Sequence, residues 1–394
     1  MPHSPAAPES ATKQELIDKA RALAPRFAER AEKAEEARRI PQESIDDMLD
    51  AGFARILLPT RIGGYGLGFD TWFEVMRELS KADASHGWCG GLITHHAHLV
   101  SQFPEAGQKI VWADGLEVPV AASFVPATKA TPVDGGYRIS GQGSPFASGI
   151  DHCPWVMLGG MAHDGAEPQW KFFLVPPGQY SVRDTWFTAG MRATGSKTVV
   201  TDNVFVPKSL VLSLSDLRDG VGPGGDVNTG TIYHTPFFYY APICFVTPML
   251  GAAQGAYDIF REWTKTRRAQ DGSSMAEKIS VQVRMARAAA DLDAAELLLQ
   301  RAVHVSDAPQ DYSADLLARS VRDFARASEL AVSAVDTLVA LSGTAGFTSS
   351  HPIQRAWRDI HFMSMHISLN TETNFTHYGR MQLGLGRDAS RPYF

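Results

Sequence analysis

Hydrophobic residues recur along this chain with two different periods, and the change of period divides it. Leu16, Ala20, Leu23 and Phe27 share one helical face, and Thr12 followed by Glu15 supplies a capping box at its start. A second helix is predicted between Pro41 and Gly52, using the preference for Pro just inside a start and Gly just past an end. Gly63, Gly64, Gly66 and Gly68 mark a flexible turn, after which helical patterning resumes over 70–82 and, less regularly, over 102–112. From about residue 118 to 214 the period shortens. The segments 155–160, 170–175 and 198–206 are β-prone and separated by Gly, Pro and Asp. Residues 213–235, with Gly220, Gly222, Gly224 and Gly225, read as a mobile connector. They lack the strand before and helix after that a dinucleotide fingerprint requires. Beyond them two helical stripes appear, one through Ile279, Val283, Ala286, Ala290, Ala294 and Leu297, the other through Leu317, Val321, Phe324, Ala327, Ala331, Val335 and Leu338. Helices, then strands, then long helices, with no βαβ alternation, disfavour a doubly wound sheet and predict a helical bundle at the end.

Composition narrows the partners. A chain of 394 residues with 44% hydrophobic content can bury a large core, and its net charge of -6 argues against the basic field that nucleic acid needs. No apolar run reaches the length of a membrane span, and the first ten residues, rich in Pro, Ala and Ser and expected to be disordered, lack the pattern of a signal peptide. A cytoplasmic protein is expected. Cys89, Cys153 and Cys244, odd in number and far apart, read as reduced packing residues. Gly190 to Thr198, GMRATGSKT, approaches a phosphate loop, but Ser196 intervenes before Lys197 and no helix is predicted to follow. His95, His96 and His98 lack partners at ligand spacing, so no metal is expected. No GxSxG elbow is present.

Four separated segments, in order, carry a family resemblance: AGFARILLPTRIGGYG at 51–66, FASG at 146–149, MRATGSKTVVTDNVFVP at 191–207 and GTAGFTSSHPIQRAWRD at 343–359. Together they resemble the acyl-CoA dehydrogenase superfamily over residues 16–385. The resemblance implies a mainly α fold with a central β-barrel: a helical N-terminal domain over 11–117, the barrel over 118–214, a connector over 215–235 and a C-terminal four-helix bundle over 236–394, assembled as a homotetramer. The dehydrogenases' common glutamate base falls at Ile367, which cannot take a proton. His366 beside it is similar to the histidine of reduced-flavin-dependent monooxygenases on the same fold, such as the oxygenase components of p-hydroxyphenylacetate hydroxylase and of the secosteroid hydroxylase. Dibenzothiophene monooxygenase is a more distant relative.

That branch implies further residues. Trp88 and His96 in HGWCGGLITHHAHL resemble a tryptophan and histidine lining the aromatic pocket; Ser148 falls where the family places a hydroxyl beside flavin N5, Ser123 at an upstream pocket serine, and, by resemblance to the dehydrogenases, Arg267 falls near an arginine that contacts flavin phosphates across subunits. By the same resemblance, reduced FMN or FAD reacts with O2 to give a C4a-hydroperoxide, which Ser148 protects. His366, a histidine expected to titrate near neutrality, withdraws the proton of a phenolic substrate, with His96 orienting or sharing it. Trp88 offers a flat wall that excludes water. A separate NAD(P)H-dependent reductase is expected to supply the flavin. An indole or heteroatom oxygenase, an acyl-CoA dehydrogenase and a non-enzymatic interaction protein are the competing readings. His95, His98 and His361 are read as structural.

Overall fold

The computed structural model describes residues 11–165 and 167–387; the first ten residues, expected to be disordered, lie outside them. The N-terminal part is helical: α1 (Lys13–Ala37), α2 (Gln42–Asp50), α3 (Phe69–Ala82), α4 (Ala84–Val100) and α5 (Glu105–Val111). Both bonds of the Thr12/Glu15 capping box are formed. Leu16, Ala20 and Phe27 are buried along α1, as their spacing predicts. Every residue of α4 is buried. A helix enclosed on all sides has no solvent face to impose a period, so its limits are not visible in the sequence. Glycines let it sit that deep: a Cβ on Gly87 would meet the Ser80 hydroxyl at 1.8 Å.

The strands are β1 (Val120–Val133), β2 (Gly136–Ala147), β3 (Trp155–Ala162), β4 (Gln169–Val175), β5 (Ser181–Arg183), β6 (Lys197–Pro207) and β7 (Val211–Ser213). They form one sheet ordered β5-β6-β2-β1-β3-β4-β7, with β1–β3 parallel and the other pairs antiparallel. The expected β-barrel is therefore not closed. Its edges are the three-residue strands β5 and β7, each paired on one side only, and closure would require those edges to meet. Irregularities between Ser123 and Thr128 in β1, and at three places in β2, interrupt the ladder on the side where the candidate site lies.

The segment read as a mobile connector is packed. It contains α6 (Leu214–Asp219), and Asn228 is buried, donating to the Ser101 carbonyl at 2.8 Å and accepting from Arg61 at 2.6 Å. The C-terminal part comprises α7 (Phe237–Tyr240), α8 (Ile243–Thr266), α9 (Ile279–Asp307), α10 (Ala314–Ser342), α11 (Pro352–Ser364) and α12 (Thr371–Gln382). The predicted stripe of α10 is buried throughout. That of α9 is the opposite: Ile279, Val283, Ala286, Ala290, Ala294 and Leu297 are all exposed, while Val281, Ala288, Leu292, Ala295, Leu299 and Ala302 face the core. This helix carries two apolar faces. The three cysteines are free and buried. Among the described residues no helix is long and apolar enough to cross a membrane.

Candidate active site

Three elements bring Trp88, Ser148 and His366 together. Asp83 caps α4 by accepting from the His86 amide at 3.1 Å, and one turn on, Trp88 donates its indole N–H to the Ser148 hydroxyl at 3.1 Å. Ser148 follows β2, where the chain turns through Phe146 in the left-handed region at φ 67°. A bulky residue there stores strain that the surroundings must hold, a feature common at functional sites. Phe146 is 59% exposed, leaving a bare aromatic face beside the buried hydroxyl. The Ser148 hydroxyl also bonds that of Ser196 at 2.7 Å, which in turn bonds Thr194 at 2.6 Å. Ser196 and Thr194 were not singled out from the sequence as site residues, although they sit within the matching segment 191–207.

His366 lies just beyond the end of α11 and opens a short turn at Ile367–Leu369. Its ring stacks on Phe245 near the start of α8, with centroids 3.7 Å apart and planes at 24°, and stands edge-on to Trp88 at 6.2 Å. Phe245 and Trp88 are 5.4 Å apart, so two aromatic rings wall the imidazole. Phe245 is a further residue the sequence did not reveal, since nothing in its local pattern marks it. The surrounding apolar atoms hold the His366 imidazolium down to about 4 by desolvation, although an edge of the residue remains open to solvent. The expected titration near neutrality is therefore not found: His366 is neutral at pH 7. Its Nδ1 accepts from the Ser368 amide at 3.2 Å, which places the proton on Nε2.

His96 lies two turns beyond Trp88 on α4, against β1. Its Nδ1 donates to the Val120 carbonyl at 2.8 Å, leaving a lone pair on Nε2, and burial, partly offset by that bond, lowers it to about 4. Among the described residues no hydrogen bond joins His96 to His366. Ser123, also in β1, donates to the Pro145 carbonyl at 2.6 Å and so ties β1 to the turn leading to Phe146 and Ser148. Arg267 stands apart. It caps the far end of α8 from Phe245, about 33 Å along the axis at 1.5 Å per residue. Its guanidinium donates to the Leu341 and Ser342 carbonyls at 3.2 and 3.1 Å and covers the Trp263 ring. His361 pairs with Asp336 at 2.8 Å. His95 and His98 are buried among aromatic rings. Among the described residues no group of three or more His, Cys, Asp or Glu is arranged to hold a metal ion.

A bare aromatic face beside a file of hydroxyls suits a flat heterocycle with polar edge atoms, and the neutral imidazole behind it suits a ring substrate bearing a polar hydrogen. Comparison with known proteins agrees. The chain matches the families described as "Acyl-CoA dehydrogenase, N-terminal domain" over 10–116 and "Acyl-CoA dehydrogenase, C-terminal domain" over 243–371. It is 34% identical to the flavin-dependent monooxygenase oxygenase subunit HsaA of Rhodococcus jostii (strain RHA1), over 92% of this chain and 97% of that protein. It is 36% identical to the oxygenase component of the FADH(2)-dependent resorcinol hydroxylase of Rhizobium sp. (strain MTP-10005), over 98% of each. Among solved structures, XiaF from Streptomyces sp. in complex with FADH2 and glycerol superposes with a TM-score of 0.86 at 28% identity, covering 95% of this chain and 96% of that one.

Proposed function

We propose, given that this chain belongs to the oxygenase components of flavin-dependent monooxygenases built on the acyl-CoA dehydrogenase fold, that it hydroxylates a phenolic ring ortho to its existing hydroxyl. The observation that carries this reading is the neutral His366 ring, stacked on Phe245 and edge-on to a Trp88 that is itself bonded to Ser148. Reduced FMN or FAD, when bound, supplies an electrophilic oxygen drawn from O2. Everything else falls to the protein.

Withdrawing the phenolic proton makes the ring more nucleophilic, and an imidazole already neutral can accept it. In the resting chain the His366 proton is on Nε2. Moving it to Nδ1 gives up one long contact with Ser368, on the order of 1 kcal/mol, and frees Nε2 as acceptor. Once transferred, the proton leaves an imidazolium facing a phenolate, and that attraction offsets the burial holding His366 low in the free protein. His96 offers Nε2 as a second acceptor and shares or orients the proton. Ser148, steadied by Trp88 and Ser196, would hold the polar edge of a bound flavin, and Trp88 with Phe245 would keep water away. Ser123 fixes the turn before Ser148.

The reduced flavin comes from a separate NAD(P)H-dependent reductase. The exposed apolar stripe of α9 is covered by further copies of the chain in a homotetramer, where Arg267 serves the flavin phosphates of a neighbouring copy. Rapid mixing of the protein and reduced flavin with oxygenated buffer tests the class. A long-lived transient absorbance distinct from oxidised flavin, converted to catechol when a phenol is present, is expected. Immediate formation of oxidised flavin with both FMN and FAD contradicts it.

A further inference from the structure

The turn that carries Thr194 and Ser196 is fixed from outside the sheet. Gly190 lies against α11 so closely that a Cβ would meet the Arg358 carbonyl oxygen at 2.3 Å. The next residue, Met191, is in the left-handed region at φ 52°, without being glycine. Its amide donates to Oδ1 of Asp359, a buried carboxyl on α11, at 2.5 Å. Its carbonyl accepts from the Trp186 indole and the Thr194 hydroxyl, both at 2.9 Å. From Thr194 the bonds continue without a gap through Ser196 and Ser148 to Trp88. The Gly149 amide closes the turn by donating to the Thr194 carbonyl at 2.8 Å.

We infer that Asp359 is a positioning residue: its carboxyl pins Met191 in a strained conformation and so sets where the Thr194, Ser196 and Ser148 hydroxyls stand at the flavin edge. The inference rests on the function proposed above and deepens it. One helix thereby bears on both halves of the site, since α11 holds the hydroxyl file through Asp359 and leads directly into the turn that opens at His366. A hydrophobic residue at 359 would leave the Met191 amide unpaired in the interior, and the turn would relax out of the left-handed region.

The groups facing this carboxyl are Asp83 from the start of α4, Arg358 on α11 itself and Glu35 from α1; Arg355 of α11 approaches Asp83 at 3.6 Å, and His86 bonds Asp83 at 2.7 Å. Burial first, then the negative charge of Asp83, raises the Asp359 carboxyl to about 7. Asp83 caps the helix bearing Trp88 and His96, so the two acids meet where α4, α11 and the turn converge.

Asp359→Leu and Asp359→Asn separate the pin from mere filling of space. Asparagine retains an oxygen that can accept from the Met191 amide; leucine does not. Binding of oxidised FMN and FAD by fluorescence quenching is expected to weaken about tenfold or more in Asp359→Leu and to stay within about threefold of wild type in Asp359→Asn. Equal affinity in Asp359→Leu, or equal loss in both variants, overturns the inference. Selective 15N-methionine labelling reads the pin directly, without flavin. The Met191 amide signal should titrate with the buried carboxyl in wild type and lose that titration in Asp359→Asn. A Met191 signal indifferent to both pH and the substitution refutes the pin even if Asp359→Leu fails to fold. If wild-type protein binds neither flavin in either redox state, the proposed reaction fails while the Met191 measurement still decides the role of Asp359.

Discussion

His366 and His96 are both neutral at pH 7, yet backbone contacts give them opposite tautomers, and this separates their roles experimentally. Val120 keeps the His96 proton on Nδ1, while Ser368 keeps the His366 proton on Nε2. Asparagine at 366 can donate as the resting imidazole does but cannot take a proton. His366→Asn should therefore lose phenol hydroxylation by roughly a hundredfold or more, the usual worth of a positioned base, while peroxide release rises and flavin affinity is kept. Retained hydroxylation would assign His366 as a donor and leave His96 as the base. The pH dependence follows from the same burial. A base whose free-protein value lies near 4 is deprotonated and active above it, so the acid limb of kcat/KM should fall near pH 4 rather than at the ordinary histidine value of about 6.5. The chemical shifts of the His366 ring protons across pH 3.5 to 7 check this without turnover. Ser148→Ala leaves the Trp88 indole without its acceptor, at about 1–3 kcal/mol, and is expected to lower the thermal midpoint as well as raise peroxide release.

Helices α4 and α10 differ in how far their sequences disclose them. Leu317 to Leu338 forms one apolar stripe with a polar opposite face, so the period names both the helix and its core side. In α4 the surroundings are protein on every side, and glycines and four histidines occupy positions that a half-exposed helix would give to leucine. The apolar positions of α9 were legible but their direction was not: a stripe records what is hidden from water, not which partner hides it. Similarly, the strand segments were readable while the open edges of the sheet were not, because pairing across a sheet is non-local. Phe245 reaches the site from far along the chain with no local signal to mark it, while Ser196 lies in a segment that carries the family resemblance but nothing local shows that its hydroxyl meets Ser148. The buried histidines of α4 make a further prediction. An unfolded chain protonates each imidazole below about pH 6.5, whereas the fold resists until about 4 for His96 and about 3 for His98. Stability is therefore present above pH 6.5 and lost as pH falls, by ~1.4 kcal/mol per pH unit per group. Asp307 and Asp359, raised to about 6 and about 7 by burial, pull in the opposite direction over the same interval. The test is thus the difference between proteins. His98→Phe, which preserves an aromatic ring against Tyr233 and Tyr240, should flatten the decline in urea stability between pH 6.5 and 5 by that amount; an unchanged slope would show that His98 charges freely.

In the whole molecule, the proposed site depends on three layers meeting: α4 would supply Trp88 and His96, the sheet and the turn after β2 Ser123 and Ser148, and α8 with the turn after α11 Phe245 and His366. A glutamate at both Val283 and Leu297 should dissociate a homotetramer resting on the outer face of α9, measured by light scattering, with little change in the fold of each copy. Assembly unaffected by both charges would place the interface elsewhere. Arg267, remote from the site within one chain, should then matter for flavin binding only in the assembled protein. The central claim, transfer of one atom of O2 to a phenolic ring, is tested most directly by supplying reduced flavin, a phenol and isotopically labelled O2. The account predicts a catechol carrying one labelled oxygen in its new hydroxyl. Recovery of the unchanged phenol with labelled peroxide equal to the flavin oxidised, across a panel of phenols, would contradict it.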